Sequence, residues 1–232
     1  RMEIQTFDSI IIGSGQAGNP LAFFLAAKGQ NVALIEKGKL GGTCVNTGCT
    51  PTKTYVASAR RAWEVNQASE LGISTEKSPT VSLEKIWKRK EKIISSSRNG
   101  IQDGIESNDN ITLFKGVGKF TGPKEVAVGN HRLKAEKIYI NVGARPRIIP
   151  GFEEVRFFTN ESILDLKEVP QHLIIIGGSY IGLEFAQIFR RFGSKVTVCE
   201  KGPRIIHRED HDHSEMIEQI LESEGIQFEL NA

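Results

Sequence analysis

Two cysteines, Cys44 and Cys49, lie five residues apart in the run GGTCVNTGCTPTK. This spacing is just over one helical turn, so the two sulfur atoms can meet if the turn is distorted, as Gly48 and Pro51 allow. A helix predicted over residues 54–69 brings its N-terminus to this segment, and a helix N-terminus near a lysine favours a reactive thiolate. The pattern indicates a redox-active disulfide next to an electron donor.

Other roles for the cysteines have less support. A zinc site needs four ligands, and only Cys199 remains. A structural disulfide across so small a loop adds little stability and is unusual in a reducing compartment. The run HREDHDH at residues 207–213 contains metal-ligand side chains, but adjacent side chains diverge, and we interpret it as the polar start of a helix over 214–223. We therefore expect no metal site, and we interpret Cys199 as a core thiol.

The chain contains an internal repeat at an offset of 164 residues. Residues 8–38 and 172–202 are identical at eleven of 31 positions, and in both copies a glutamate follows the first glycine after 23 residues. Each copy reads as strand, glycine turn, helix and second strand. The predicted strands are 9–12, 32–35, 173–176 and 195–199, and the predicted helices are 16–28 and 180–192. Each copy is thus predicted to be a βαβ dinucleotide-binding unit.

The first copy has the complete glycine pattern, with Gly13, Gly15 and Gly18. The first glycine permits the tight turn, the second lets backbone N–H groups approach a pyrophosphate, and the third lets the helix pack closely on the strand. The helix N-terminus favours the phosphate charge. Glu36, at the tip of the second strand, is predicted to accept hydrogen bonds from a ribose.

The second copy departs from this pattern, because Ser179 stands where the middle glycine is expected. The added Cβ crowds the path of the phosphates, and we expect weaker binding there. Glu200 at the strand tip favours NAD over NADP, since a 2′-phosphate would meet a like charge. Lys201 and Arg204 keep NADP as the lesser alternative.

Composition indicates a globular protein. The chain has 232 residues, 30 Lys+Arg, 28 Asp+Glu and 39% hydrophobic residues. The balanced charge argues against a nucleic-acid partner, and the three cysteines are too few for a disulfide framework. The uncharged stretch Ser9–Ala27 is broken by glycines and a proline, so we expect no membrane span. We expect a soluble, cytoplasmic α/β protein, with a helix over 81–107 and a small β meander over 111–140 inserted in the first unit.

The run GGTCVNTGCTPTK after a dinucleotide-binding unit resembles the FAD-dependent pyridine nucleotide-disulfide oxidoreductases, which include dihydrolipoamide dehydrogenase, glutathione reductase and mercuric reductase. Lys137–Arg145 (KIYINVGAR) and Gly177–Glu184 also resemble family motifs. The combination of GSGQAGNPLA with CTPTK is most similar to mercuric reductase-like chains. The resemblance implies two Rossmann-like, three-layer units: an FAD-binding domain over residues 1–149 and an NAD(P)-binding domain over residues 150–232, both incomplete.

The resemblance also implies residue roles. Cys49 would lie against the flavin as the charge-transfer thiolate, Cys44 would attack the substrate, and Lys53 would lie near the flavin, paired with Glu184. Tyr180 would cover the flavin until nicotinamide displaces it. The residues expected to bind FAD are Gly13, Gly15, Gly18, Glu36, Gly42, Thr43, Lys53, Gly118 and Gly143. Those expected to bind the pyridine nucleotide are Gly177, Gly178, Tyr180, Gly182 and Glu200.

The implied activity passes electrons from NAD(P)H through FAD to the Cys44–Cys49 disulfide and on to a small-molecule disulfide or a metal ion, as in mercuric reductase. One alternative is a dihydrolipoamide dehydrogenase, which reduces NAD. Another is a non-catalytic nucleotide-binding fragment. Family members are about twice as long, and the third flavin motif and the C-terminal interface domain are not found in this sequence. We therefore expect a fragment that is inactive alone, and a homodimer for the full-length enzyme.

Overall fold

The computed structural model describes residues 3–74, 80–152 and 154–232. In chain order its strands are β1 Ile4–Ile12, β2 Val32–Glu36, β3 Ile111–Lys115, β4 Lys119–Gly122, β5 Glu125–Val128, β6 His131–Ile140, β7 His172–Ile176, β8 Lys195–Glu200 and β9 Ile226–Leu230. Its α-helices are α1 Gly18–Ala27, α2 Gly42–Asn46, α3 Cys49–Gln67, α4 Leu83–Glu106, α5 Tyr180–Phe192 and α6 His211–Ser223. Both predicted βαβ repeats are present, as β1-α1-β2 and β7-α5-β8.

Contacts divide the chain into two compact units. The first consists of Arg1–Pro51 and Glu91–Glu161, and the second of Thr52–Lys90 and Ser162–Ala232. This grouping divides the chain differently from a boundary between residues 149 and 150, because it places Thr52–Lys90 with the second unit and extends the first unit to Glu161. The assignment of one FAD-binding and one NAD(P)-binding domain stays a prediction.

The first unit contains a six-stranded sheet with the order β3-β2-β1-β6-β5-β4. Strands β3, β2, β1 and β6 run parallel, whereas β6, β5 and β4 form an antiparallel meander. The predicted meander over 111–140 therefore comprises only β4 to β6. Strand β3 extends the parallel sheet instead, because the long helix α4 precedes it and a helical crossover returns the chain in the parallel direction.

Both faces of the parallel strands in the first unit are buried. Ile10 and Ile12 pack with apolar side chains of β5 and β6, while Ile11, on the opposite face, packs with α1 and α4. Alternate residues of a strand point to opposite faces, so this run of isoleucines fills two cores. Helices, parallel sheet and meander thus form three layers, and the predicted fold class is confirmed for this unit.

The second unit contains the three-stranded parallel sheet β7-β8-β9. One face packs with α5 and α6 in a single apolar core. The other face carries Ile174 and Ile176, which are 59% and 48% exposed. This unit is also Rossmann-like, and within the described part of the chain it shows two of the three predicted layers.

In residues 3–74, 80–152 and 154–232, no helix combines the length and the apolar character needed to cross a bilayer.

Candidate functional site

The glycine loop after β1 closes tightly on its own unit. Gly13 has a φ of 106°, a conformation that side-chain-bearing residues rarely adopt, and its N–H donates to the Ile35 carbonyl at 2.7 Å. A Cβ added to Gly18 would lie 1.9 Å from the Gly13 carbonyl oxygen. The backbone of the loop therefore requires glycine at both positions.

Glu36 binds this loop from the tip of β2. Its Oε2 accepts hydrogen bonds from the Ser14 N–H at 2.9 Å and from the Ser14 hydroxyl at 2.7 Å. Its Oε1 accepts a hydrogen bond from the Gly38 N–H at 2.8 Å. Glu36, which was predicted to bind a ribose, is thus held in place by hydrogen bonds from the glycine loop and from Gly38.

A cleft of about 780 Å³ opens at the carboxyl ends of the parallel strands in the first unit. Ligands of open α/β sheets bind at this edge. Seven predicted cofactor-binding residues line the cleft together with the two cysteines of the catalytic set, Cys44 and Cys49: Gly13, Gly15, Glu36, Gly42, Thr43, Gly118 and Gly143. Gly18 is not among the residues of the cleft wall, and its lack of a side chain leaves room for the Gly13 carbonyl oxygen.

The two cysteines do not share one helix. Cys44 lies in α2, and Cys49 is the first residue of α3. The chain breaks at Gly48, where an added Cβ would lie 3.0 Å from the Thr43 carbonyl oxygen. The predicted distortion within one turn is therefore a break between two helices, and α3 begins five residues before the predicted start at Thr54. Pro51 is compatible with that start, because a first helical turn needs no donor from proline.

The three cysteines form no disulfide in this structure, and Cys44 is partly buried whereas Cys49 is exposed. Burial raises the pKa of the Cys44 thiol, and a hydrogen bond to Cys49 and the charge of Cys49 raise it further. The N–H groups of Cys49 and Thr50, at the N-terminus of α3, contact Cys44 and lower its pKa, but they do not outweigh the other effects. The structure thus favours a protonated Cys44 in the reduced pair.

In the second unit, the Lys53 ammonium group forms a salt bridge with the Glu184 carboxylate. Lys53 projects from α3 one helical turn after Cys49, and Glu184 projects from α5. The pairing implied by the resemblance is therefore present in the structure. The roles of both residues in catalysis stay predictions.

The second glycine loop repeats the first in outline. Gly177 has a φ of 108°, and a Cβ on Gly182 would lie 2.3 Å from the Gly177 carbonyl oxygen. Glu200 accepts hydrogen bonds from the N–H groups of Gly178 at 2.7 Å and Gly202 at 2.9 Å. Burial raises the pKa of Glu200, but these hydrogen bonds and nearby positive charges outweigh burial and hold the pKa below its ordinary value.

Ser179 and Tyr180 begin helix α5 in this second loop. Ser179 has an extended backbone and its side chain makes no capping hydrogen bond, and Tyr180 is 70% exposed. The predicted place of Tyr180 over a flavin stays a prediction.

One group of metal-ligand side chains occurs in the described residues. Donor atoms of Asp210, Asp212 and His213 lie within 4.8 Å of one another, and all three side chains are exposed. They lie at the N-terminus of α6, whose positive dipole end disfavours a cation. We assign no function to this group.

Sequence reasoning gave no role to three polar residues that line the cleft, Ser14, Asn46 and Asn141. The Asn46 amide donates to the carbonyls of Leu40 and Gly42, both at 2.9 Å. Asn141 could have been found, because it directly follows β6 and so lies at the same sheet edge as the glycine loop. Ser14 and Asn46 carry no such signal, since their partners become visible only when the loops close.

The profile of the family "Pyridine nucleotide-disulphide oxidoreductase" matches residues 7–232. Mercuric reductase of Bacillus cereus is 36% identical over 97% of this chain and 36% of its own length. Dihydrolipoyl dehydrogenase of Chlamydia trachomatis is 35% identical over 98% of this chain and 50% of its own length. The chain thus spans half or less of the length of these relatives.

A solved structure with a similar fold is the HOCl-induced flavoprotein disulfide reductase RclA from Escherichia coli. Its TM-score is 0.85 at 35% sequence identity, over 97% of this chain and 49% of that chain. A Cu(II) complex of the same protein matches with a TM-score of 0.84. The sequence relatives and this structural relative are all oxidoreductases of the kind that the family profile describes.

Proposed function

The chain belongs to the pyridine nucleotide-disulphide oxidoreductase family, and from this premise we propose that it is part of a flavin-dependent NAD(P)H oxidoreductase of the mercuric reductase-like type. The observation that carries the proposal is the position of Cys44 and Cys49 in the wall of a glycine-lined cleft. The reducible centre is this thiol pair. Its substrate is a small-molecule disulfide or a metal ion.

The residues of the cleft fit FAD. Gly15 and Gly42 approach so closely that a Cβ on Gly42 would lie 2.6 Å from the Gly15 Cα, and this leaves backbone rather than side chains at the cleft surface. The loop leads into the N-terminus of α1, which suits a pyrophosphate, and Glu36 suits a ribose hydroxyl. Bound there, FAD supplies two-electron redox chemistry next to the thiol pair.

The two sulfurs of the thiol pair have different proposed roles. Opening of the disulfide takes up two electrons and two protons and gives two thiols. Because burial and Cys49 raise the pKa of Cys44, Cys44 retains its proton in the reduced pair. When Cys44 attacks a substrate, the N–H groups at the start of α3 are in place to stabilise its thiolate. We assign Cys44 to the substrate, and Cys49 and the Lys53–Glu184 pair to the cofactor.

The second glycine loop is the proposed site of the pyridine nucleotide. The low pKa of Glu200 keeps its carboxylate charged, and this charge favours the ribose diol of NAD over the 2′-phosphate of NADP. Lys201, next to Glu200, leaves NADP as the lesser alternative. Gly177, Gly178 and Gly182 would form the turn that approaches the phosphates.

The relatives support two candidate substrate classes. The names of mercuric reductase and of the Cu(II) complex of RclA support a metal ion, and a thiolate pair is a suitable ligand for a soft ion such as that of mercury. The similarity to dihydrolipoyl dehydrogenase supports the alternative, a dithiol substrate with electrons running to NAD. A homodimer of the full-length enzyme and a cytoplasmic location belong to the same proposal.

A thiol assay tests the redox pair without any cofactor. Mild oxidation of the chain with diamide should consume two of its three thiols, and peptide mass analysis should find Cys44 joined to Cys49. Cys199→Ser is the matched control and should leave this cross-link intact. A disulfide that contains Cys199, or no disulfide at all, would contradict the proposal.

A spectroscopic assay tests the cofactor. Anaerobic addition of NADH to the FAD-loaded chain should produce long-wavelength charge-transfer absorbance. We expect Cys49→Ser to abolish this absorbance and Cys199→Ser to preserve it. Absorbance that survives Cys49→Ser would overturn the assignment of Cys49, and its absence from the full-length wild-type enzyme would overturn the assignment of the redox pair.

A further inference from the structure

Ser14 occupies the variable position between the first two glycines of the first loop, where the motif itself requires no particular residue. Its side chain is nevertheless completely buried, with 0% exposure. A buried hydroxyl is retained at low cost only if it is hydrogen-bonded. The partners of Ser14 therefore indicate what the hydroxyl does.

Every polar group of Ser14 is engaged. Its N–H and its hydroxyl both donate to Glu36 Oε2, at 2.9 Å and 2.7 Å. Its carbonyl accepts from the Gly41 N–H at 3.1 Å and from the Asn19 amide at 2.6 Å. The Gly41 N–H also lies 3.3 Å from the hydroxyl oxygen. Ser14 thus connects the glycine loop to the tip of β2 and to the turn before Cys44.

The second repeat lacks this hydroxyl, because Gly178 occupies the equivalent position. There the carboxylate of Glu200 accepts one backbone N–H on each oxygen, from Gly178 and from Gly202. Glu36 accepts the same two backbone donors and, in addition, the Ser14 hydroxyl. A carboxylate offers roughly four acceptor positions. Ser14 therefore occupies both positions on Oε2, and the acceptor position left on Glu36 belongs to Oε1.

We propose that Ser14 is a positioning residue for the adenosine end of the cofactor cleft: its hydroxyl fixes the carboxylate of Glu36 so that Oε1 is presented to a ribose hydroxyl. This inference rests on the proposed binding of FAD in the first unit. Ser14 acts only through Glu36, because the hydroxyl is buried and its proton is used on Oε2. A carboxylate that is already oriented loses less freedom when it binds.

A double-mutant cycle on FAD affinity tests this proposal. Ser14→Ala removes the hydroxyl, and Ser14→Gly reproduces the loop of the second repeat while keeping the backbone N–H. We expect each to weaken FAD binding about fivefold to tenfold, the size expected for the net contribution of one ordinary hydrogen bond. In a Glu36→Ala background the same changes should alter FAD affinity less than about twofold, because the group that Ser14 positions is gone.

Ser9→Ala is the matched control. Ser9 is also a serine of the first unit with 0% exposure, and its hydroxyl donates to Gln30 rather than to a residue of the cleft. We expect this variant to bind FAD like the wild type. FMN, which has no adenosine, should bind the wild type and Ser14→Ala equally.

Three results would overturn the inference: unchanged FAD affinity in Ser14→Ala and Ser14→Gly, an equal loss in the Glu36→Ala background, or an equal loss of FMN affinity. Each of these leaves the proposed function standing, because the wild type still binds FAD. If the wild type binds no FAD, the proposed function fails and this inference fails with it.

Discussion

The two βαβ repeats share their loop geometry down to single hydrogen bonds. The Gly13 N–H donates to the carbonyl of Ile35 at 2.7 Å, and the Gly177 N–H donates to the carbonyl of Cys199 at 2.8 Å. In both copies the backbone N–H of the next residue binds the glutamate at the strand tip. Eleven identities in 31 positions are therefore enough to specify the same turn twice.

The repeats differ in what surrounds them. The isoleucines of β1 are buried on both faces, because β1 is a central strand and the meander covers its second face. Their counterparts Ile174 and Ile176 are exposed, because β7 is an edge strand and one face of its sheet carries no second layer in the described residues. The residues shared by the two repeats thus determine the conformation of the glycine loop but not the layers that pack around it.

A second difference concerns what each loop can bind. In the first loop, Gly15 leaves the approach to the backbone open, and the loop lines a large cleft with the thiol pair. In the second loop, the side chain of Ser179 stands at the equivalent position. The proposed function assigns FAD to the first copy and NAD(P) to the second, and this contrast makes the two loops unequal as phosphate sites.

The largest expected effect comes from the third glycine of each loop. Gly18→Ala places a Cβ 1.9 Å from the backbone oxygen of Gly13, and Gly182→Ala places one 2.3 Å from the oxygen of Gly177. Because a backbone oxygen cannot move aside alone, the loop must shift. We expect Gly18→Ala to weaken FAD binding and Gly182→Ala to weaken NADH binding, each by about tenfold to a hundredfold. Titration of both variants with FAD and with NADH measures this.

Gly100→Ala is the control for these two variants, because a Cβ there meets no atom within 4 Å. It should bind both nucleotides like the wild type. If Gly18→Ala and Gly182→Ala both lose affinity for the same nucleotide, the assignment of one nucleotide to each repeat is wrong.

A smaller effect is expected from the pH dependence of Glu200. Its pKa in the folded chain lies below the ordinary value of 4.5, so its carboxylate stabilises the fold above that pH, and this contribution disappears as the pH falls through the folded-state pKa. We expect Glu200→Gln to lower the free energy of unfolding by about 1–2 kcal/mol at neutral pH, through its weakened hydrogen bonds to Gly178 and Gly202. The difference in the free energy of unfolding between the wild type and Glu200→Gln should be smaller at about pH 3.5.

Urea unfolding at both pH values measures the effect of Glu200→Gln, with the exposed Glu229→Gln of β9 as the control. A deficit of the same size at both pH values would show that the charge of Glu200 does not stabilise the fold.

Local sequence patterns predicted the elements that depend on neighbouring residues. Helix α5 was predicted with its observed bounds, because Gly193 ends it in a left-handed conformation with a φ of 109°. The glycine loops and the strand-tip acids were predicted from their spacing. Nine of the residues that line the first cleft were also expected there, counting the two cysteines but not the polar residues Ser14, Asn46 and Asn141.

Features that depend on distant contacts were not predicted. The grouping of residues 52–90 with the second unit arises from packing of Tyr55 and Leu83 in the same core as α5. The break between α2 and α3 depends on the close approach of Gly48 to Thr43. The role of Ser14 depends on closure of the loop over Glu36. In each case the contacting residue is separated from the local sequence pattern by a turn or by a long stretch of chain, so the pattern alone does not reveal the contact.

The central claim is that two similar repeats in one chain bind two different nucleotides. Calorimetric titration of the wild-type chain with FAD to saturation, followed by NAD⁺, which cannot reduce the flavin, tests it directly. We expect one FAD and one NAD⁺ bound per chain, with no FAD released when NAD⁺ binds. Displacement of FAD by NAD⁺, or a total of one nucleotide per chain, would contradict it.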